Sequence, residues 1–324
     1  MKHSKIKQLG IWIIITIISV MLFFPPIAGA KGYPKKPVRL IYPFPAGSGG
    51  DMVTRIFADA LSKELGKPVK VSNVTGGKGT IGAANVAKGR KDGYEISALP
   101  IGPAVTQPIF SEKLPYTTAD FEPVCQFTYL PIVLVASTKS NIKTTRDLIE
   151  YAKNHPGELK YAHPGLGTVP YMMIQALLKS SGVEMKGIPF KGLQPGVTAA
   201  VGGHVDIALS VAAAAEGFKK ADKLNVLGVF SDQRLEQFPE VPTLDEDGVT
   251  DYPMLWTGIF VPKGLDPDIL NILETACEKA AKSESFVEAM KKSKSPILYL
   301  DRDAFKTQIK KDIEYFNAYK ANTQ

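Results

Sequence analysis

Apolar and polar positions alternate between two periods along this chain. Val38–Tyr42 is a short apolar run and reads as a strand. Asp51–Leu65 then puts Met52, Ile56, Phe57, Ala60, Leu61 and Leu65 on one helical face, and Gly66 stops it. Val69–Ser72 reads as a strand, Ile81–Lys88 as a helix and Tyr94–Leu99 as a strand. Ile132–Ala136 is wholly apolar, as a buried strand requires. Thr145–Asn154 reads as a helix closed by Pro156-Gly157. Val169–Ser181 reads as another, with Thr168 as its N-cap and Gly182 as its stop. A short helix around Gly196–Val201 leads into a strand at Val205–Leu209. Val226–Phe230 and Gly258–Val261 are further strands. Asp266-Pro267 opens a long helix, and Asp301–Asp303 opens the last one. Such alternation predicts an α/β fold with parallel sheets covered by helices.

Two junctions stand out in this pattern. Phe44-Pro45-Ala46-Gly47-Ser48-Gly49-Gly50-Asp51 follows the first strand, and His163-Pro164-Gly165-Leu166-Gly167-Thr168 follows the run Leu159–Ala162. A strand that turns through glycines into a helix leaves backbone N–H groups unpaired at one point, where the helix dipole adds positive charge. Such a point suits an anion. Two of them predict two half-sites that close on a ligand with acidic groups.

The extended stretches Phe121–Ala136 and Asp251–Pro262 divide the chain. Two crossings of this kind carry the chain into a second domain and back, forming a hinge with a cleft beside it. The predicted division is residues 31–127 with 256–324 as one lobe, and 128–255 as the other.

Composition changes the picture in a few places. Lys2, Lys5 and Lys7 precede the apolar stretch Ile11–Phe24, and Ala28-Gly29-Ala30 offers a cleavage site. That layout predicts a signal peptide over residues 1–30, export to the periplasm and, with no Cys near the site, no lipid anchor. The apolar core is short for a bilayer span, which needs about 20 residues. Removing 30 of 324 residues and three of the charges that make the net +7 leaves a mildly basic chain of 294. Its charges are mixed in sign, which argues against a nucleic-acid surface and favours acidic small molecules. Cys125 and Cys277, the only cysteines, have no pairing signature, and two buried free thiols are favoured. Three mature histidines and two cysteines without ligand spacing predict no metal site.

A series of short motifs then runs through the whole mature chain. They are Tyr33–Pro37, Phe44–Asp51, Gly79–Ala83, Asp92–Tyr94, Leu114–Tyr116, Asp120-Phe121 with Pro123-Val124, Pro156–Ala162, Gly165–Thr168, Lys191-Gly192, Gly202–Asp206 and Val241–Thr243. In this order and spacing the chain resembles the extracytoplasmic solute receptors of tripartite tricarboxylate transporters, the TctC or Bug-type family. The resemblance implies a type II periplasmic-binding-protein fold. It also implies capture of a carboxylate and delivery to the integral-membrane permease subunits of the transporter. The protein would act as a monomer without cofactor or catalysis. By the same resemblance, Phe44, Ala46, Gly47, Ser48, Gly49 and Asp51 contact ligand from one lobe, and Gly165, Gly167, Thr168 and Lys191 from the other.

The chain also departs from the family pattern. Tyr171 stands where most members carry His, Leu193 where many carry Ser or Gly, Ser210 where many carry Asp, and Lys78 where a small residue is usual. If Lys78, Tyr171 and Ser210 line the cleft, it loses an acid and gains apolar surface and a cation. That would suit a larger or partly apolar carboxylate.

Three rival readings compete with this one. Gly77-Lys78-Gly79-Thr80-Ile81-Gly82 matches G-x-G-x-x-G, but the next strand lacks the acidic residue that takes a ribose hydroxyl. Ala46–Gly50 resembles a nucleophile elbow, with Ser48 as nucleophile and His155, His163 and His204 downstream. Against an exported serine hydrolase, the turn follows the first mature strand and is flanked by Pro43 and Pro45. The third reading, a sensing receptor for a membrane kinase, uses the same lobe closure as transport.

Overall fold

A computed structural model describes residues 32–323. The leader expected over residues 1–30 lies outside them. In chain order, β1 (Val38–Tyr42), α1 (Gly49–Leu65), β2 (Val69–Asn73), α2 (Thr80–Ala87) and β3 (Glu95–Pro100) come first. A π-helical turn at Gly102–Thr106 leads into α3 (Gln107–Phe110). Only Pro131 separates β4 (Phe121–Leu130) from β5 (Ile132–Ser137). There follow α4 (Thr145–Asn154), β6 (Lys160–His163), α5 (Val169–Ser181), β7 (Lys186–Pro189), α6 (Leu193–Gly202), β8 (Ile207–Val211), α7 (Ala212–Lys220) and β9 (Leu224–Phe230). The chain ends with β10 (Leu255–Pro262), α8 (Pro267–Lys282), α9 (Glu284–Lys292), β11 (Ile297–Leu300) and α10 (Arg302–Thr323).

These strands form two sheets. The first has the order β11-β4-β10-β3-β1-β2 and the second β7-β6-β8-β5-β9. The chain passes from the first to the second at Pro131 and returns between Phe230 and Leu255. Strand β4 thus extends three residues past the expected boundary at residue 127. Both sheets are mixed, which corrects the expectation of parallel ones. β1 pairs in parallel with β2 and β3, and β6 with β7 and β8. β10 and β11 run antiparallel to their neighbours, and β5 runs antiparallel to β8 and β9. The reason lies at the crossings. A chain that leaves one sheet and enters the next through a single residue has no crossover helix to make the pairing parallel.

Parallel pairing fixes where the turns go. The carboxyl ends of β1, β2 and β3 deliver residues 43–48, 74–79 and 101–106 to one edge of the first sheet. Those of β6, β7 and β8 deliver 164–168, 190–192 and 212 to one edge of the second. Ligands of open α/β sheets bind at such edges.

The core beneath is tightly packed. Phe57 of α1 stacks on Phe127 of β4 at 4.2 Å between centroids, and Phe286 of α9 meets Phe57 edge-on. Phe305 of α10 lies over Gly258, where an added Cβ would come within 2.3 Å of the ring. Cys125 and Cys277 are both buried and are neighbours across the β4–α8 contact.

The helix α10 also carries a buried carboxyl, Asp312. Trp256 Nε1 donates to Asp312 Oδ2 at 2.8 Å, and Gln308 Nε2 donates to Oδ1 at 3.2 Å. Burial pushes Asp312 up to about 6, against the lowering effect of these two donors. A raised folded value means that ionisation opposes folding. The contribution of Asp312 is most favourable below pH 4 and is lost as pH rises through 6. Asp312→Asn keeps the acceptor for Trp256 and cannot ionise. It is expected to gain roughly 2–3 kcal/mol at pH 8 and almost nothing at pH 4. Urea unfolding at both pH values measures this, and an equal change at both would remove the ionisation account. Of the two tryptophans only Trp256 lies beyond residue 30, so its fluorescence reports the same titration once the leader is removed.

Candidate functional site

The first turn is built around Asp51. Ser48 caps α1 in extended conformation, and its Oγ accepts from Asp51 N–H at 3.3 Å. The Tyr42 phenol is a neighbour of this hydroxyl. The Asp51 side chain is 2% exposed. It accepts from Gly47 N–H at 2.9 Å, from Arg55 Nε and Nη2 at 2.9 and 3.0 Å, and from Asn73 Nδ2 at 2.7 Å. Burial alone would raise this carboxyl. The Arg55, Asn73 and Gly47 donors outweigh it and hold Asp51 below its ordinary value. Asn73 Nδ2 reaches Phe44 O as well, at 2.9 Å. One carboxylate therefore ties together the turn, the helix and the end of β2.

This arrangement bears on two of the expected contact residues. The Asp51 carboxylate is saturated by the protein, so its task is to position the turn. The Gly47 N–H is consumed by Asp51, and φ +80° at Gly47 is what lets the chain fold back to it. The donors this turn offers outward belong to exposed Ala46 and to the first turn of α1, Gly49 and Gly50, which no intrahelical acceptor can serve. Ser48 is half-buried and engaged as a cap. Phe44 is half-buried, near an ideal Cβ position of Gly79 at 3.2 Å. That contact joins the turn to Gly77–Gly79, where exposed Lys78 sits at φ 57°, ψ 32°.

The second turn is shaped by His163. Its Nδ1 accepts from Gly165 N–H at 3.2 Å, so the ring is neutral with its proton on Nε2. Burial lowers its pKa in the same direction. Gly165 and Gly167 both have positive φ, at 113° and 75°. Thr168 occupies the cap position of α5, as expected, but its hydroxyl donates back to Gly165 O at 2.8 Å. The N-terminus of α5 therefore has no side-chain cap, and Pro170 supplies no N–H. The first-turn donors of Val169 and Tyr171 are left for an anion or water. Leu166, at the tip of this turn, is 75% exposed.

The remaining expected residues fall in different places. Lys191 is exposed just beyond the end of β7, at the same edge as the second turn. Tyr171 packs on His163 at 4.9 Å between centroids and hydrogen-bonds the Tyr319 phenol of α10. Ser210 is 1% exposed, and its hydroxyl donates to Val211 O at 3.1 Å. It is a buried strand residue.

The structure also adds residues. Arg55 and Asn73 hold Asp51. Phe110 of α3 lies 3.6 Å from an ideal Cβ position of Gly167, and Tyr319 meets Tyr171, so elements of the first sheet touch the second turn directly. On another side, Lys294 pairs with Glu216 of α7 at 2.6 Å. An i, i+4 Asp–Arg pair on a helix was available in the sequence as a signal for Arg55. Nothing local marks Asn73, Phe110 or Tyr319.

The profile of the tripartite tricarboxylate transporter family receptor, TctC, matches residues 53–316. The chain is 30% identical to the protein BugT of Bordetella pertussis over 85% of this chain and 86% of that one. A solved TctC solute binding protein from Polaromonas is 30% identical, with a TM-score of 0.77 over 89% of this chain and 98% of that one. An R. palustris protein solved with adipate is 26% identical, with a TM-score of 0.73 over 89% and 97%. MatC from Rhodopseudomonas palustris, solved with bound malate, is 25% identical, with a TM-score of 0.70 over 88% and 99%. With the fold, the paired turns and a match over most of its length, this chain belongs to the TctC family of periplasmic solute-binding receptors.

Proposed function

We propose that this protein is a periplasmic receptor that captures an organic carboxylate and hands it to the membrane subunits of a tripartite tricarboxylate-type transporter. One observation carries this reading. Two glycine turns at the carboxyl ends of parallel strands, one on each sheet, present helix N-termini whose first N–H groups have no acceptor within the helix. One ligand carboxylate lies at Ala46, Gly49 and Gly50, and another acidic group at the N-terminus of α5 beyond Gly165–Thr168. The halves built on the first and second sheets, joined at Pro131 and between Phe230 and Leu255, act as the two lobes. Closure of the lobes shuts out water and creates the form that the permease recognises. The neighbours solved with malate and adipate support the ligand class. The engagement of Ser48 as helix cap speaks against its use as a nucleophile, and the protein acts as a monomer without catalysis.

A saturating carboxylate at 100 times its Kd is expected to add about 2.7 kcal/mol of stability by mass action. A thermal-shift panel of di- and tricarboxylates, acidic amino acids and aromatic acids checks this. Shifts from neutral sugars or cations and none from carboxylates would reject the anion reading.

Lys78 tunes this site. A bulky residue at positive φ is strained by about 1–2 kcal/mol, so Lys78→Gly should stabilise the empty protein. The same change removes a cation from the turn behind Phe44. It is expected to weaken carboxylate binding roughly ten- to a hundredfold, since 1.4 kcal/mol is a factor of ten. Calorimetric titration and a melting curve on the same variant test the opposed signs. An unchanged Kd would mean that Lys78 takes no part in recognition.

A further inference from the structure

Cys125 and Cys277 are the only cysteines, and 152 residues separate them (277 minus 125). Cys125 lies on β4, opposite Ile259 of β10, and Cys277 lies on the buried face of α8, which packs on β4. Both are buried, and Cys277 is the main side-chain neighbour of the Cys125 thiol across the packed β4 and α8. Chance rarely places a chain's entire cysteine complement in one contact.

We propose that in the exported protein Cys125 and Cys277 become a disulfide that staples α8 to β4 within the first sheet's half. The proposal rests on the periplasmic reading, because that compartment supplies the oxidant. The co-reactant is the disulfide of a thiol–disulfide oxidoreductase. One cysteine thiolate attacks an oxidant sulfur and releases the first oxidant thiol. The other cysteine then attacks the mixed disulfide and releases the second. Two thiol protons leave, and two electrons end on the oxidant's dithiol. The exchange occurs while the chain is still open, since the folded protein buries both sulfurs. Once the chain has folded, the same burial shields the bond from reductants.

The staple closes a long loop, so it restricts the unfolded chain strongly. The wild-type precursor is expressed with export intact, and the periplasmic protein is acid-quenched and unfolded in an alkylating reagent without reductant. Neither cysteine should be alkylated, and peptide mapping should recover residues 125 and 277 in one linked fragment. Adding dithiothreitol during unfolding should expose both. Reduced protein, refolded and compared with the oxidised form, should melt lower by about 5 °C or more. Alkylation of both cysteines without reductant in correctly exported protein would overturn the disulfide while leaving the receptor reading intact. A linked pair with an unchanged melting temperature would overturn the staple. Chain found only in the cytosol would instead strike at the periplasmic reading.

Discussion

Asp51→Ala is expected to cost roughly 2–4 kcal/mol of stability and to abolish measurable carboxylate binding. The carboxylate accepts from Gly47 N–H, Arg55 and Asn73 Nδ2 and is itself almost wholly buried. Removing it deprives the half-buried Asn73 amide and the Gly47 N–H of their acceptor; Asn73 carries most of the cost, about 1–3 kcal/mol, because Gly47 is exposed and its N–H can reach water. Arg55 is nearly half exposed, with 46% of its side-chain surface open, and can rehydrate, so it adds little. Binding is lost because the turn loses its shape, not because a ligand contact disappears. Asp51→Asn should therefore retain part of both properties, since its amide oxygen still accepts from Gly47. The pH dependence has a definite sign. The folded carboxyl is held below its ordinary value, so its stabilisation is present above about pH 3.9 and fades as pH falls through the folded value. The stability gap between wild type and Asp51→Ala should thus be wide at pH 7 and narrow at pH 3. Urea unfolding at both pH values decides it. A gap below about 0.5 kcal/mol at pH 7 would show that the network does not hold the turn.

Gly167→Val and Gly47→Val should each weaken carboxylate binding at least a hundredfold, about 2.7 kcal/mol, with the fold retained. Both glycines have positive φ, where a β-branched residue is strained by about 1–3 kcal/mol. At Gly47 no protein atom lies within 4 Å of an ideal Cβ position. A valine there meets no wall of the protein, and its methyls stand where the ligand is proposed to approach. At Gly167 the first carbon fits against Phe110 at 3.6 Å, but the branches press on that ring and on its contact between the two halves. Ser48→Ala should be milder. It removes one cap, worth about 1 kcal/mol, and leaves the backbone donors in place. Circular dichroism and calorimetric titration of the three variants distinguish these mechanisms. Loss of binding in Ser48→Ala alone, with both glycine variants near normal, would point to the hydroxyl instead of the backbone.

Local spacing specifies the elements and the two turns. Apolar spacing over Asp51–Leu65 and Val169–Ser181, with Gly66 and Gly182 as stops, is local information, and those helices end where the spacing says. Turn chemistry is local as well, so both glycine junctions were legible. The order and spacing of the motif series are specific to the family. Shorter elements escaped. β7 contains Gly187 and ends on Pro189, and β11 has no alternation because it lies at the edge of a sheet covered by α10 and α8.

Only the tertiary structure decided which donors stay free and which side chains meet. Asp51 looks in sequence like an acid beside a binding loop. It becomes a structural hub only because β2 delivers Asn73 next to β1 and Gly47 folds back over the helix start. Ser210 occupies a position where family members carry an acid, yet its strand is buried on both faces. Phe110 reaches Gly167, Tyr319 reaches Tyr171 and Cys125 reaches Cys277 through pairings between residues 57 to 152 positions apart. Contacts at such separations leave no period in the sequence, because they are set by how whole sheets and helices pack and not by the residues on either side.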